Sequence, residues 1–129
     1  MNTITDKPKI YLVDDDEAVR KALSRLLKAA GYAGEAFASA EDFLAALPAE
    51  DGILLLDLRM PGTDGFALQQ KLQTLCPQLP VVFITGHAQP GDRERALAAG
   101  AKSFLTKPFD GETLLKIIEA ITGIKREEE

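Results

Sequence analysis

Residues 53–58 read Ile53-Leu54-Leu55-Leu56-Asp57-Leu58: four large apolar side chains, a carboxylate, and one more leucine. A bounded apolar run of this length is too short for a buried helix and fits a strand. With no polar residue alternating in, both faces of that strand must be covered. Parallel sheets are covered in this way, because helical crossovers pack on both sides. Val81-Val82-Phe83-Ile84, preceded by Pro80, repeats the pattern. Asp57 is the anomaly, since an unpaired carboxylate is costly to bury.

Working outward, short apolar runs alternate with helical patterns. Ile10–Val13 forms a first strand. From Glu17 to Ala30, Val19, Ala22, Leu23, Leu26, Leu27 and Ala30 recur at i, i+3, i+4, i+7, i+8 and i+11, which is one stripe of an amphipathic helix. Gly31 supplies its stop. Tyr32–Phe37 is a weaker strand. Ser39 caps a helix with the stripe Ala40, Phe43, Leu44 and Leu47, and Pro48 ends it. After the strand at 53–56, Leu68, Leu72 and Leu75 mark a third helix. Val81–Ile84 is the fourth strand. A helix near Asp92–Ala99 stops at Gly100, and Lys102–Leu105 is the fifth strand. Asp110 caps a last helix carrying Leu114, Ile117, Ile118 and Ile121. Strict strand–helix alternation predicts an α/β fold with an open, doubly wound parallel sheet and right-handed crossovers.

Composition agrees. The chain has 129 residues, 46% hydrophobic and 27% charged, which suits one domain and excludes a disordered or fibrous class. At this length roughly two thirds of the unfolded surface can be buried, so no metal or disulfide scaffold is needed to fold it. The formal charge of −5 argues against nucleic-acid binding driven by overall charge. No apolar run approaches the roughly 18 to 20 residues that cross a bilayer. The opening MNTITDKPK has no apolar segment, so no signal peptide is expected. Cys76 is the single cysteine, which fits a reducing, cytoplasmic setting. The expected organisation is a polar lead-in over 1–8, one domain over 9–122 and a charged end over 123–129.

In an open parallel sheet, ligands bind beyond the carboxyl ends of the strands. Asp14, Asp15 and Asp16 follow the first strand, Asp57 the third, Thr85 the fourth, and Lys107 lies just past the fifth. Asp16 is read as the cap of the first helix. Asp14, Asp15 and Asp57 gathered at one edge repel one another unless a cation sits between them. Mg²⁺, a hard ion with a preference for oxygen, suits such a site. A carboxylate beside it can act as a nucleophile toward phosphorus. Lys107 then neutralises one phosphoryl oxygen and the Thr85 hydroxyl donates to another.

Val13-Asp14-Asp15-Asp16, Asp57-Leu58-Arg59-Met60-Pro61, Thr85-Gly86-His87 and Lys107-Pro108-Phe109, in this order and spacing, resemble the receiver domain of bacterial response regulators. The wording is most similar to the FixJ-like branch, and the resemblance covers roughly residues 8–123. It implies a receiver fold with strand order 2-1-3-4-5 and five helices. It also implies roles: Asp57 as phosphoacceptor, Asp15 as a direct Mg²⁺ ligand, Asp14 through water, and the Arg59 carbonyl as a further ligand. Thr85 and Phe104 match the switch pair, Lys107 the phosphate-binding lysine. Lys107-Pro108 matches a cis peptide, and Gly65 the glycine that lets the loop turn into the third helix.

The implied function is a phosphorylation-activated switch of a two-component system, not a metabolic enzyme. It would be loaded by a sensor histidine kinase and act on an output domain, a partner protein or a second copy of itself, with no direct nucleic-acid or membrane contact. Three alternatives compete. A phosphohydrolase of the haloacid-dehalogenase type needs a second aspartate two residues after the nucleophile, where this chain has Arg59. A pseudo-receiver would bind without being phosphorylated, against the complete acid set. A flavodoxin-type cofactor binder shares the topology, but Asp14-Asp15-Asp16 would repel its phosphate.

Overall fold

The computed structural model describes residues 8–47 and 51–123. Residues 1–7 of the expected lead-in over 1–8, residues 124–129 of the expected charged end over 123–129, and Pro48 as the stop of the second helix lie outside the described residues. The elements run β1 (Lys9–Val13), α1 (Glu17–Ala29), β2 (Gly34–Phe37), α2 (Ala40–Ala45), β3 (Gly52–Leu56), α3 (Gly65–Leu75), β4 (Val81–Thr85), α4 (Asp92–Ala98), β5 (Ser103–Thr106) and α5 (Gly111–Thr122). The five strands form one parallel sheet in the order β2-β1-β3-β4-β5.

Side chains alternate across the pleat, so each central strand feeds two cores. Ile10, Leu12, Ile53, Leu55, Val82 and Ile84 face α1 and α5, meeting Leu23, Leu27, Leu114 and Ile118. Tyr11, Val13, Leu54, Leu56 and Phe83 face the other way, onto Phe43, Phe66, Leu68, Leu72 and Ala96 from α2, α3 and α4. The apolar run of β3 is therefore explained: Ile53 to Leu56 are all fully buried. Shortening any of them to alanine should cost about 2 to 5 kcal/mol.

The helix starts follow the sequence. Asp16 accepts from the amides of Ala18 and Val19, Ser39 from Asp42, and Asp110 from Glu112. Some boundaries differ. Tyr32 is not in β2; its amide bonds to the Leu27 carbonyl at 2.9 Å and its ring is buried, so it closes the end of α1. Leu75 is 58% exposed, so the buried stripe of α3 runs through Phe66, Leu68 and Leu72 instead. The fourth strand extends to Thr85, which pairs with Thr106, and β5 begins at Ser103.

Gly65 departs from expectation in its physical reason. Its backbone is not left-handed; the positive φ of this loop, +78°, is at Gly62. A Cβ on Gly65 would lie 2.7 Å from the Asp57 carbonyl oxygen and 2.9 Å from both Leu58 Cα and the Phe83 ring. Glycine is required there because α3 starts in contact with the backbone of the loop after β3.

Candidate phosphorylation and metal site

Each candidate side chain is set by a backbone hydrogen bond that carries the sheet one step further. The Asp14 amide donates to the Phe37 carbonyl at 3.1 Å, and the Asp57 amide to the Val13 carbonyl at 2.9 Å. The Lys107 amide donates to the Thr85 carbonyl at 2.8 Å. The residues after β1, β3 and β5 are thus locked to neighbouring strands at one edge of the sheet. The Lys107-Pro108 peptide is cis.

Asp14, Asp15 and Asp57 can each present a carboxylate oxygen within 4.8 Å of the others. Their environments differ sharply. Asp14 is fully buried. Its Oδ1 accepts from the Asp16 amide at 2.9 Å and its Oδ2 from Lys107 Nζ at 2.7 Å. Arg20 Nη1 donates to its carbonyl at 2.7 Å. Asp15 is exposed, and Asp16 spends its carboxylate on capping α1.

Asp57 is 5% exposed, and its Oδ1 is buried with no hydrogen-bond partner. Burial, then the charge of Asp14, push its pKa up to about 6; Lys107 and the Leu58 amide pull the other way, and Asp15 adds to the rise. A buried carboxylate oxygen without a donor, facing two further carboxylates, is a hard-oxygen set that matches Mg²⁺. Asp14 has both oxygens engaged, which suits contact through water. Asp15 and Asp57 are the better-placed direct ligands.

Thr85 is fully buried, and its Oγ1 accepts from the His87 amide at 3.1 Å. It is therefore not open to solvent: β4 runs one residue past Ile84 and carries Thr85 inside. Phe104 is also buried, with its ring centroid 6.1 Å from that of Phe83. His87 is exposed.

Two side-chain contacts around the site were not legible in sequence. Arg20 holds the loop that carries Asp14. The Arg59 side chain pairs with Asp92, Nη2 to Oδ2 at 2.6 Å. Where a haloacid-dehalogenase-type enzyme needs an acid, this chain has a guanidinium already committed to a carboxylate. The stretch Gln89-Pro90-Gly91-Asp92, where the fourth helix starts, is held by that pair. The only hint in the sequence was an acid directly after Gly91.

Comparisons with known proteins agree with this geometry. Residues 10–119 match the response regulator receiver domain family. The chain is 44% identical over 112 residues to the response regulator protein TodT of Pseudomonas putida, covering 86% of this chain and 49% of that protein. It is 42% identical over 110 residues to the C4-dicarboxylate transport transcriptional regulatory protein DctD of Rhizobium meliloti, covering 84% of this chain and 24% of that protein. The crystal structure of FixJ-N superposes with a TM-score of 0.84 at 35% identity, covering 95% of this chain and 99% of that one. The chain thus spans a quarter to about half the length of these two curated relatives.

Proposed function

The chain belongs to the response regulator receiver domain family, and from that premise we propose that Asp57 is its phosphoacceptor, loaded from the phosphohistidine of a sensor histidine kinase. The observation that carries this is Asp57 itself: a buried carboxylate with an unpartnered Oδ1, beside Asp14, Asp15 and the Lys107–Asp14 pair. No packing role accounts for it.

In this reading an Asp57 carboxylate oxygen attacks phosphorus in line. The P–N bond to the donor imidazole breaks, and its electron pair leaves with the ring nitrogen. Asp14, Asp15, Asp57 and the Arg59 carbonyl would hold Mg²⁺, which when bound offsets charge on the transferring group. Lys107, released from Asp14 or shared with it, faces one phosphoryl oxygen, and the Thr85 hydroxyl donates to another. The chain catalyses its own phosphorylation and dephosphorylation and turns over no other substrate.

Phosphorylation then shifts the population of conformers at the face formed by α4, β5 and α5, where an output domain, a partner protein or a second copy docks. A cytoplasmic setting is supported by the single cysteine and by the lack, among the described residues, of a helix long and apolar enough to cross a membrane. The test is direct. With Mg²⁺ and acetyl phosphate, intact mass should rise by one phosphoryl group, and Asp57→Asn should abolish the gain. Equal labelling of that variant would sink the assignment.

A further inference from the structure

α4 starts without the usual support. Gly91, at its N-cap, has φ +88° and no side chain to accept from the first amides. The helix has only seven residues, Asp92–Ala98. Yet Asp92 is 7% exposed, and its Oδ2 takes two donors: Arg59 Nη2 at 2.6 Å and the Gln89 amide at 2.8 Å. The Asp92 amide returns a bond to the Gln89 carbonyl at 3.0 Å.

An acid in the first turn of a helix is ordinary, since it meets the positive end of the helix dipole. That accounts for the Gln89 contact. It does not account for a guanidinium arriving from the loop after β3. Arg59 Nε is buried and has no hydrogen-bond partner, so the Asp92 carboxylate compensates a partly desolvated cation. Arg59 is the second residue after Asp57. On its carboxyl side the loop is closed by the Gly65 amide donating to the Leu58 carbonyl at 2.9 Å. The Arg59 side chain is tied to α4, and the preceding Leu58 carbonyl to the start of α3.

We propose that Asp92 is a positioning residue for the phosphorylation site, acting through Arg59. The ion pair fixes the Arg59 backbone, and with it the carbonyl read above as a metal ligand; the inference rests on that reading. Residues behind the first ligands commonly tune metal affinity by orienting those ligands. Linkage makes the effect reciprocal: an ion bound at the acidic cluster must also steady the start of α4. The phosphorylation loop and the helix of the output face are then joined by one side-chain pair, independently of Thr85.

The test compares wild type, Arg59→Ala, Asp92→Asn and the double variant by Mg²⁺ titration calorimetry, without phosphodonor. Simple charge effects have opposite signs: losing a cation should tighten Mg²⁺ binding, and losing an anion should weaken it. A tether predicts that both single variants weaken binding, by about tenfold, and that the double variant is no worse than either. Tighter or unchanged binding in Arg59→Ala, or additive losses, overturns the proposal. Hydrogen exchange of the Arg95–Ala98 amides, the hydrogen-bonded ones of α4, measured without metal, gives a second reading. These amides should exchange faster in Arg59→Ala even though the Asp92–Gln89 contact remains; unchanged exchange overturns the tether. Asp57→Asn judges the parent reading separately, and the metal-free exchange decides the tether whichever way that variant behaves.

Discussion

Lys107 Nζ lies 2.7 Å from Asp14 Oδ2, joining two residues that are 93 positions apart, and the aspartate in the pair is fully buried. The lysine is thus committed before any phosphoryl group arrives. It is paired with Asp14, whereas Asp57 Oδ1 is buried with no hydrogen-bond partner.

That pair sets a stability prediction. Lys107→Met leaves the Asp14 charge buried with only the Asp16 amide as donor. Removing one partner of a buried ion pair is worth about 3 kcal/mol or more. Urea unfolding at neutral pH should show a loss of that order. Adding Asp14→Asn should recover a large part of it, because the stranded charge is gone. If the double variant is as unstable as the sum of the singles, the pair is not what supports Lys107.

Asp57 gives a pH prediction in metal-free buffer. Its pKa is raised from 3.8 to about 6 by burial and by Asp14. The folded state therefore holds a proton that the unfolded state has already released across that window. The stabilising contribution of protonated Asp57 is fully present below pH 3.8 and is lost as pH rises through about 6. Asp57→Asn removes the penalty. The variant should exceed wild type by about 3 kcal/mol at pH 7.5, the two converging near pH 4. A constant difference across that range would mean that Asp57 is ionised throughout.

Much of this was legible in sequence, because each functional residue sits where an apolar run stops. Ile53–Leu56 and Val81–Ile84 announce buried strands, and Asp57 and Thr85 follow them directly. The topology then brings Asp14 and Asp57 together without further information. What sequence could not reach depends on approach between elements. The reason for Gly65 is a contact with Asp57 and Leu58 backbone, not a turn angle. The Arg59–Asp92 pair spans 33 positions and depends on where α4 starts relative to the loop after β3. Leu75 has helical spacing, but it faces outward, and Cys76 and Leu79 pack against that core instead.

The acidic run separates into two jobs, and substitution should show it. Asp16 caps α1 through Ala18 and Val19, whereas Asp14 and Asp15 belong to the cluster. Asp16→Ala should cost about 1 kcal/mol of stability and leave Mg²⁺ affinity within about twofold. Asp15→Asn should leave stability nearly unchanged and weaken Mg²⁺ binding by an order of magnitude or more. Equal loss of binding in both variants would overturn the division.

The output route can be tested at Thr85. Its oxygen accepts from the His87 amide, and its own hydroxyl hydrogen is available for a new acceptor. A phosphoryl group on Asp57 supplies one, and a charge-assisted bond of this kind contributes roughly 1.5 to 3 kcal/mol. Turning toward it takes the acceptor away from the His87 amide, so the change enters the loop that leads to α4. Phe104 is already buried against Phe83, and Arg93 Nη1 donates to its carbonyl at 2.8 Å. From this starting point an inward rotation of Phe104 is not the event to look for; a shift of the His87–Gly91 loop and of Arg93 is. Beryllofluoride with Mg²⁺, as a phosphoryl mimic, should change the sedimentation behaviour of the wild type or its affinity for a partner. Thr85→Ser keeps the hydroxyl and should respond like wild type. Thr85→Ala should take up the mimic yet respond roughly tenfold less, the equivalent of losing one such bond. If Thr85→Ala responds fully, the signal bypasses this hydroxyl, and the Arg59–Asp92 connection becomes the path to α4.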